Sequence, residues 1–175
     1  MATSRVPAKS RITTVEAAKG LTLTHVGTIG TLIDHLSTDS NQRGKQFECI
    51  CKWFLTHDPV YSHRLKHVWL WNDWPARWGT DAGIDLVAED TDGRLWAVQT
   101  KAFAATHAVT KPDFDQFLAE ASRPEFSFRL LIATTNLIGT SAKQTIDAQR
   151  GTLSLLLLGD LEAAHVDWPA SLNEL

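Results

Sequence analysis

The chain has 175 residues, 43% of them hydrophobic, and a formal net charge of −3. That length bounds it to one domain, with enough apolar content for a sizeable core. It holds no apolar run long enough to span a bilayer and no signal-peptide core, so a cytoplasmic location without membrane contact is expected, and the acidic balance leaves nucleic-acid binding to a local patch.

In chain order, residues 1–38 read as an N-terminal extension and 39–175 as the main domain. Met1 to Lys19 is polar. Between Leu21 and Leu36, the residues Leu23, Val26, Ile29, Leu32, Ile33 and Leu36 recur at helical spacing. Gly27 and Gly30 weaken that helix. The next helix is clearer. Ser40 or Asn41 can cap it, and Phe47, Ile50, Cys51, Phe54 and Leu55 form its apolar stripe. Glu48 lies at the edge of the stripe and, on the residues alone, reads as a solvated carboxylate. The only two cysteines, Cys49 and Cys51, point to different faces of this helix and can form neither a normal disulfide nor a zinc site alone. Asp58-Pro59 ends it, because a residue before proline avoids helical angles.

His67 to Trp71 reads as a first strand and Asn72 to Gly79 as a loop. His63 and His67 are four apart, which would suit a metal on a helix, but a strand starting near His67 breaks that geometry. Trp74, Arg77 and Trp78 could stack on bases or wedge into a duplex, although packing as a lid on the core or against a neighbouring domain is the expected role. Ile84 to Ala88 and Arg94 to Lys101 then form two strands joined at Thr91-Asp92-Gly93. A three-residue loop with Gly93 left-handed puts Asp85 opposite Gln99. Gln99 and Lys101 share a face, so strand alternation predicts that Asp85, Gln99 and Lys101 converge on one side of the sheet. A two-residue loop would instead place Asp85 opposite Thr100.

A helix is expected from Asp113 to about Ser122, with Phe114, Phe117, Leu118 and Ala121 buried. Phe128 to Thr134 is a continuous apolar strand of the kind covered on both faces. Ser141 to Gln149 is a further helix, Leu153 to Leu158 a last strand, and Gly159-Asp160 opens a terminal helix. Gly139-Thr140-Ser141-Ala142-Lys143 lacks the glycine and Gly-Lys-Ser/Thr order of a phosphate loop, which excludes a nucleotide-binding reading. The sum is an α/β sandwich.

An acid, a glutamine and a lysine, set as Asp81-Ala82-Gly83-Ile84-Asp85-Leu86-Val87 and then Ala97-Val98-Gln99-Thr100-Lys101, resemble the PD-(D/E)xK nuclease superfamily in its Mrr-like, QxK branch. Ile84 stands where that signature has proline. The run from Trp69 to Asp81, continuing into Gly83 to Ala88, is similar to the N-terminal nuclease domain of type ISP restriction-modification enzymes and related predicted helicases. The resemblance covers Gly44 to Leu158 and implies a restriction-endonuclease-like fold, a three-layer sandwich with a central mixed sheet.

It further implies a Mg²⁺-dependent endodeoxyribonuclease, with Mn²⁺ able to substitute, cutting double-stranded DNA in restriction-modification or phage defence. Asp85, Gln99 and the Thr100 carbonyl would hold the metal. Lys101 would act on the attacking water, and Glu48, from a stretch resembling the family's helix, would turn inward beside the metal. Asp81 and Glu89 are reserve carboxylates. The family's ATPase motor and methyltransferase do not fit in this length, so a fragment of a larger protein is expected. Arg43, Lys45, Lys52, Arg77 and Lys111 are the candidate DNA contacts. The alternative is a catalytically weak DNA-binding or interaction domain of a helicase-like protein.

Overall fold

The computed structural model describes residues 26–80, 83–149 and 151–175. A short helix α1 (Ile29–Asp34) precedes the long α2 (Ser40–His57) and the single turn α3 (Pro59–Ser62). The antiparallel strands β1 (Leu65–Leu70), β2 (Leu86–Asp90) and β3 (Leu95–Lys101) follow. Then come α4 (Asp115–Glu120), β4 (Phe126–Ala133), α5 (Thr140–Ala148), β5 (Leu153–Leu156) and α6 (Leu158–Ala163). The five strands lie in chain order, β1-β2-β3 antiparallel and β3-β4-β5 parallel. This is the expected α/β fold with a mixed sheet between helical layers.

Alternation along β3 divides the core. Trp96 and Val98 face α2, where they join Leu86, Ala88, Leu130 and Ile132 against Phe47, Ile50, Phe54 and Leu55. Ala97 faces the other layer, where Val87, Leu131 and Ala133 meet Phe114 and Phe117. Both faces of β3 are therefore covered, and a polar side chain at its end, such as Gln99, enters a dry environment.

Several expected boundaries move for local reasons. Asp39, not Ser40 or Asn41, caps α2, its carboxylate accepting from the Gln42 N–H at 2.9 Å. Gly27 is not helical; its N–H donates to the Trp168 carbonyl at 2.9 Å, so α1 starts two residues later, capped by Thr28. The part of the expected 21–36 helix before Val26 lies outside the described residues. Strand β1 begins at Leu65, and Trp71–Asp73 forms a 3-10 turn rather than its end.

The hairpin that positions the site follows the sequence closely. Glu89 pairs with Leu95, and Gly93 is left-handed with φ 79°. Buried Asp90 organises the turn, accepting from the Asp92 and Arg94 N–H groups (3.0 and 2.9 Å), Arg94 Nε (2.9 Å) and Trp96 Nε1 (3.3 Å). The loop tryptophans pack inward. Trp71, Trp74 and Trp78 contact one another at centroid separations of 4.9 to 6.0 Å, and Arg123 lies 4.0 Å over the Trp78 ring. This is the lid on the core, with Phe126 beneath it.

Candidate active site

The β2–β3 ladder ends at Leu86, while β3 runs on to Lys101. Asp85 stands at that end. Its N–H donates to the Val98 carbonyl at 2.9 Å, and its carbonyl accepts from the Trp71 N–H at 2.8 Å. Its Oδ2 accepts from the Thr100 N–H at 2.6 Å and the Thr100 hydroxyl at 3.2 Å. The carboxylate thus takes the main-chain donor that an extended β2 would have met, as a buried N–H requires. The Thr100 carbonyl points to the same strand edge as its N–H.

Gln99 is 5% exposed. Its Nε2 donates to the Gly83 carbonyl at 3.0 Å, which leaves Oε1 buried with no hydrogen-bond partner among the described residues. The Lys101 side chain is half-buried and makes no hydrogen bond or ion pair with a described residue. Glu48 is half-buried on α2, not solvated. Burial first, then the Asp85 charge, push its carboxyl up to about 7 against a partial pull from Lys45. Cys51 lies below; burial, with Asp85 and Glu48, raises its thiol well above the ordinary value. Glu48 and Asp85 therefore face a common space between α2 and the end of β2.

One expectation needs correction. The expected register places Asp85 opposite Gln99, but the paired ladder stops at Leu86 and Val98, the Asp85 N–H bonds to the Val98 carbonyl, and the Asp85 and Gln99 side chains do not lie on one face. Ile84 packs in the α4 layer and Leu86 in the α2 layer, so alternation breaks at Asp85. Gly83 is left-handed there, with φ 63°. The Asp85 carboxylate turns into the strand edge toward Thr100 and α2, whereas Gln99 reaches Gly83 on the α4 side. Asp85 and Gln99 thus flank the end of β2 from its two sides rather than meeting above a flat sheet.

Glu89 sits in β2 near the turn, and Asp81 lies outside the described residues. His63 follows α3 with its Nδ1 2.6 Å from the Pro59 carbonyl oxygen, while His67 lies in β1 and packs on Trp69, so they do not form a pair. Lys45 is exposed and Arg43 and Lys52 are half-buried on α2. Arg43 lines a groove of about 430 Å³ with Ala102 to Ala105, and Asp34 and Glu162 border the same groove. Arg77 is exposed, its guanidinium donating to the Gly79 carbonyl at 3.2 Å, and Lys111 is paired with Asp115 at 2.6 Å. Sequence reasoning missed Gly83 as the partner of Gln99, and Gln116, whose side chain packs over Gly83. Only the glycine two before Asp85 could have hinted at the first.

A restriction endonuclease family model of the Mrr type matches residues 56–174, more than half of the chain. The chain belongs to the restriction endonuclease family. The match begins after Glu48, so the carboxylate on α2 lies outside it. Among solved structures, the ATP-dependent type ISP restriction-modification enzyme LlaBIII bound to DNA is 29% identical, with a TM-score of 0.64 over 78% of this chain. The match takes up 9% of that much longer chain. The MspJI restriction endonuclease in complex with a 27-mer oligonucleotide is 17% identical, with a TM-score of 0.53 over 85% of this chain and 34% of its own. That likeness shows the shared fold. No curated protein sequence matches.

A divalent metal is implied by the restriction endonuclease family. Among the described residues no cluster of three or more His, Cys, Asp or Glu could hold one. The oxygen set is different in kind: two carboxylates, Asp85 and Glu48, and one neutral oxygen, Gln99 Oε1, buried without a partner. Hard cations such as Mg²⁺ take amide and carbonyl oxygens beside few carboxylates and keep several waters, so the chemistry of this donor set fits the group.

Proposed function

We propose that this restriction endonuclease domain hydrolyses phosphodiester bonds of double-stranded DNA with Mg²⁺, and that Mn²⁺ can replace it. The observation that carries the reading is the buried Oε1 of Gln99, without a hydrogen-bond partner among the described residues, in the Gln99-Thr100-Lys101 end of a strand whose Gln99 amide reaches Gly83. Asp85, Gln99 Oε1 and the Thr100 carbonyl would hold the metal. When bound, Mg²⁺ supplies charge stabilisation at the phosphate and lowers the pKa of water.

The chain's own residues divide the remaining work. Lys101, without a competing ion pair among the described residues, orients the attacking water and offsets phosphate charge. Glu48 holds a carboxyl poised near neutrality, and its ionised form receives the proton of that water. Thr100 fixes the Asp85 carboxylate through two hydrogen bonds, so the ligand is held in place before substrate arrives. Arg43, Lys45, Lys52 and Arg77 would contact phosphates, which position a duplex without reading its sequence.

The likeness to a small part of LlaBIII supports a place in a longer restriction-modification protein with an ATPase motor and a methyltransferase, serving phage defence. A second reading, a DNA-binding domain that cuts weakly, is favoured by the lack of a three-ligand acidic cluster among the described residues. Conversion of supercoiled plasmid to nicked or linear DNA, with Mg²⁺ and with EDTA, tests the choice. Metal-dependent conversion that Asp85→Ala abolishes supports the nuclease. No conversion at any metal concentration supports the second reading.

A further inference from the structure

We infer that the Gly83 main-chain carbonyl makes position 99 selective for an amide, so that Gln99 cannot be exchanged for glutamate without weakening the metal site. The inference rests on the reading of Gln99 as a metal ligand.

Bare charge arithmetic points the opposite way. Glutamate in place of glutamine adds a negative charge beside a divalent cation, and carboxylates are the commonest ligands of Mg²⁺. On that reasoning Gln99→Glu should bind metal more tightly. The surroundings of the side chain reverse the sign.

The Gln99 amide has two ends with different duties. Its Nε2 donates to the Gly83 carbonyl at 3.0 Å, and that bond turns the acceptor end, Oε1, away from the carbonyl and leaves it unpartnered. An ionised carboxylate has no hydrogen to donate. A glutamate in the same rotamer would set two oxygens against each other at a side chain that is only 5% exposed. The Gly83 carbonyl would then lose this bond as well.

The carbonyl cannot easily withdraw. Gly83 has φ 63°, a conformation that L side chains rarely adopt. A Cβ on it would meet Gln116 Cγ and Cδ at 3.2 and 3.3 Å and the Phe117 nitrogen at 3.5 Å. The chain is tied down again directly after it. Ile84 is buried in the α4 layer, and the Asp85 N–H is bound to Val98. Rotating the peptide to bring its N–H toward position 99 would disturb both contacts. Gly83 is thus a positioning residue that acts through Gln99, and the geometry explains why the strand ends in Gln-x-Lys.

Calorimetric titration of the full 175-residue chain with Mg²⁺ tests this, using the parent, Gln99→Glu and Gln99→Leu, with thermal unfolding of each in EDTA. Gln99→Glu is expected to bind Mg²⁺ on the order of tenfold more weakly than the parent and to unfold at a lower temperature without metal. Equal or tighter binding by Gln99→Glu, with an unchanged unfolding temperature, overturns the inference. Gln99→Leu separates the two claims. Its loss of binding upholds Gln99 as a ligand whatever Gln99→Glu does, whereas parent-like binding overturns the ligand reading itself. Should Gln99→Glu fail to fold, the side-chain amide of the parent decides. One slowly exchanging Nε2 proton in the ¹H–¹⁵N spectrum supports the bond to Gly83, and fast exchange of both protons contradicts it.

Discussion

Asp85 Oδ2 accepts the Thr100 N–H at 2.6 Å, just beyond the point where the β2–β3 ladder ends at Leu86 and Val98. The side chain takes the place of a main-chain partner at the end of β2, so one carboxylate both closes the sheet and faces Glu48. Asp85→Asn and Asp85→Ala should separate these roles. The asparagine oxygen can still accept from Thr100, and stability should stay within about 1 kcal/mol of the parent. Alanine leaves that donor unmet and should cost about 1–3 kcal/mol. Both should abolish Mg²⁺-dependent cleavage. Urea unfolding and plasmid assays on the same preparations check this, and an Asn variant with full activity would remove Asp85 from the proposed metal shell.

Glu48 sets a pH dependence with two opposite signs. Its carboxyl is raised from 4.5 to about 7 by burial and then by Asp85. The fold therefore prefers the protonated form. That contribution is complete below the unfolded value near 4.5 and is lost as pH rises through about 7. Metal binding runs the other way, because a cation favours the ionised carboxylate, so Mg²⁺ affinity should climb as pH passes about 7. Glu48→Gln should remove both trends. Unfolding temperature in EDTA and Mg²⁺ affinity, each measured between about pH 5 and 9, report them; two flat profiles in the parent would place Glu48 away from the site.

The hairpin was legible because its signals are local. Thr91-Asp92-Gly93 between two β-rich runs fixes the loop, and the loop fixes the register from Glu89–Leu95 to Leu86–Val98. The faces were not legible. Alternation assumes a regular strand, and the left-handed Gly83 with buried Ile84 breaks the strand one residue before Asp85. Glu48 was ambiguous for a related reason: the edge of a helical stripe says nothing about what stands across from it, and Asp85 arrives there from residues far along the chain. Asp39 was passed over as the cap of α2 because Ser40 and Asn41 are equally good capping types, and only the helical turn decides among neighbours.

Asp90 should be a stability residue rather than a catalytic one. Burial alone would raise its carboxyl, but the hydrogen bonds from the Arg94 backbone, Trp96 and the Arg94 guanidinium, with the Arg94 charge, hold it below the ordinary value. Its contribution is present above about pH 3.8 and is lost as pH falls further. Asp90→Ala should destabilise by about 3 kcal/mol, since it strips partners from four donor groups at once. The folded fraction should keep its Mg²⁺ affinity. A neutral effect on unfolding would show that Gly93 and the strands alone specify the turn.

Duplex binding should be weak, indifferent to sequence and steeply dependent on salt, because the chain is acidic as a whole. Replacing Lys45 and Arg77, both exposed, should reduce the slope of log affinity against log salt by about 2. Lys111→Ala should change it less, since Lys111 is already paired with Asp115. Competition between unrelated duplexes at several salt concentrations measures all of this. An unchanged slope in the double variant would move the DNA to another face.

Lys101 gives the most direct test of the account. Its side chain is half-buried at the end of β3 and makes no ion pair with a described residue, so replacing it should leave the fold intact. The measurement is cleavage of supercoiled plasmid in Mg²⁺ by the parent and by Lys101→Met, with equal unfolding temperatures confirmed beforehand. The account predicts nicking or linearisation by the parent, none in EDTA, and a loss of at least about a hundredfold in the variant. Parent-like cleavage by folded Lys101→Met would contradict it.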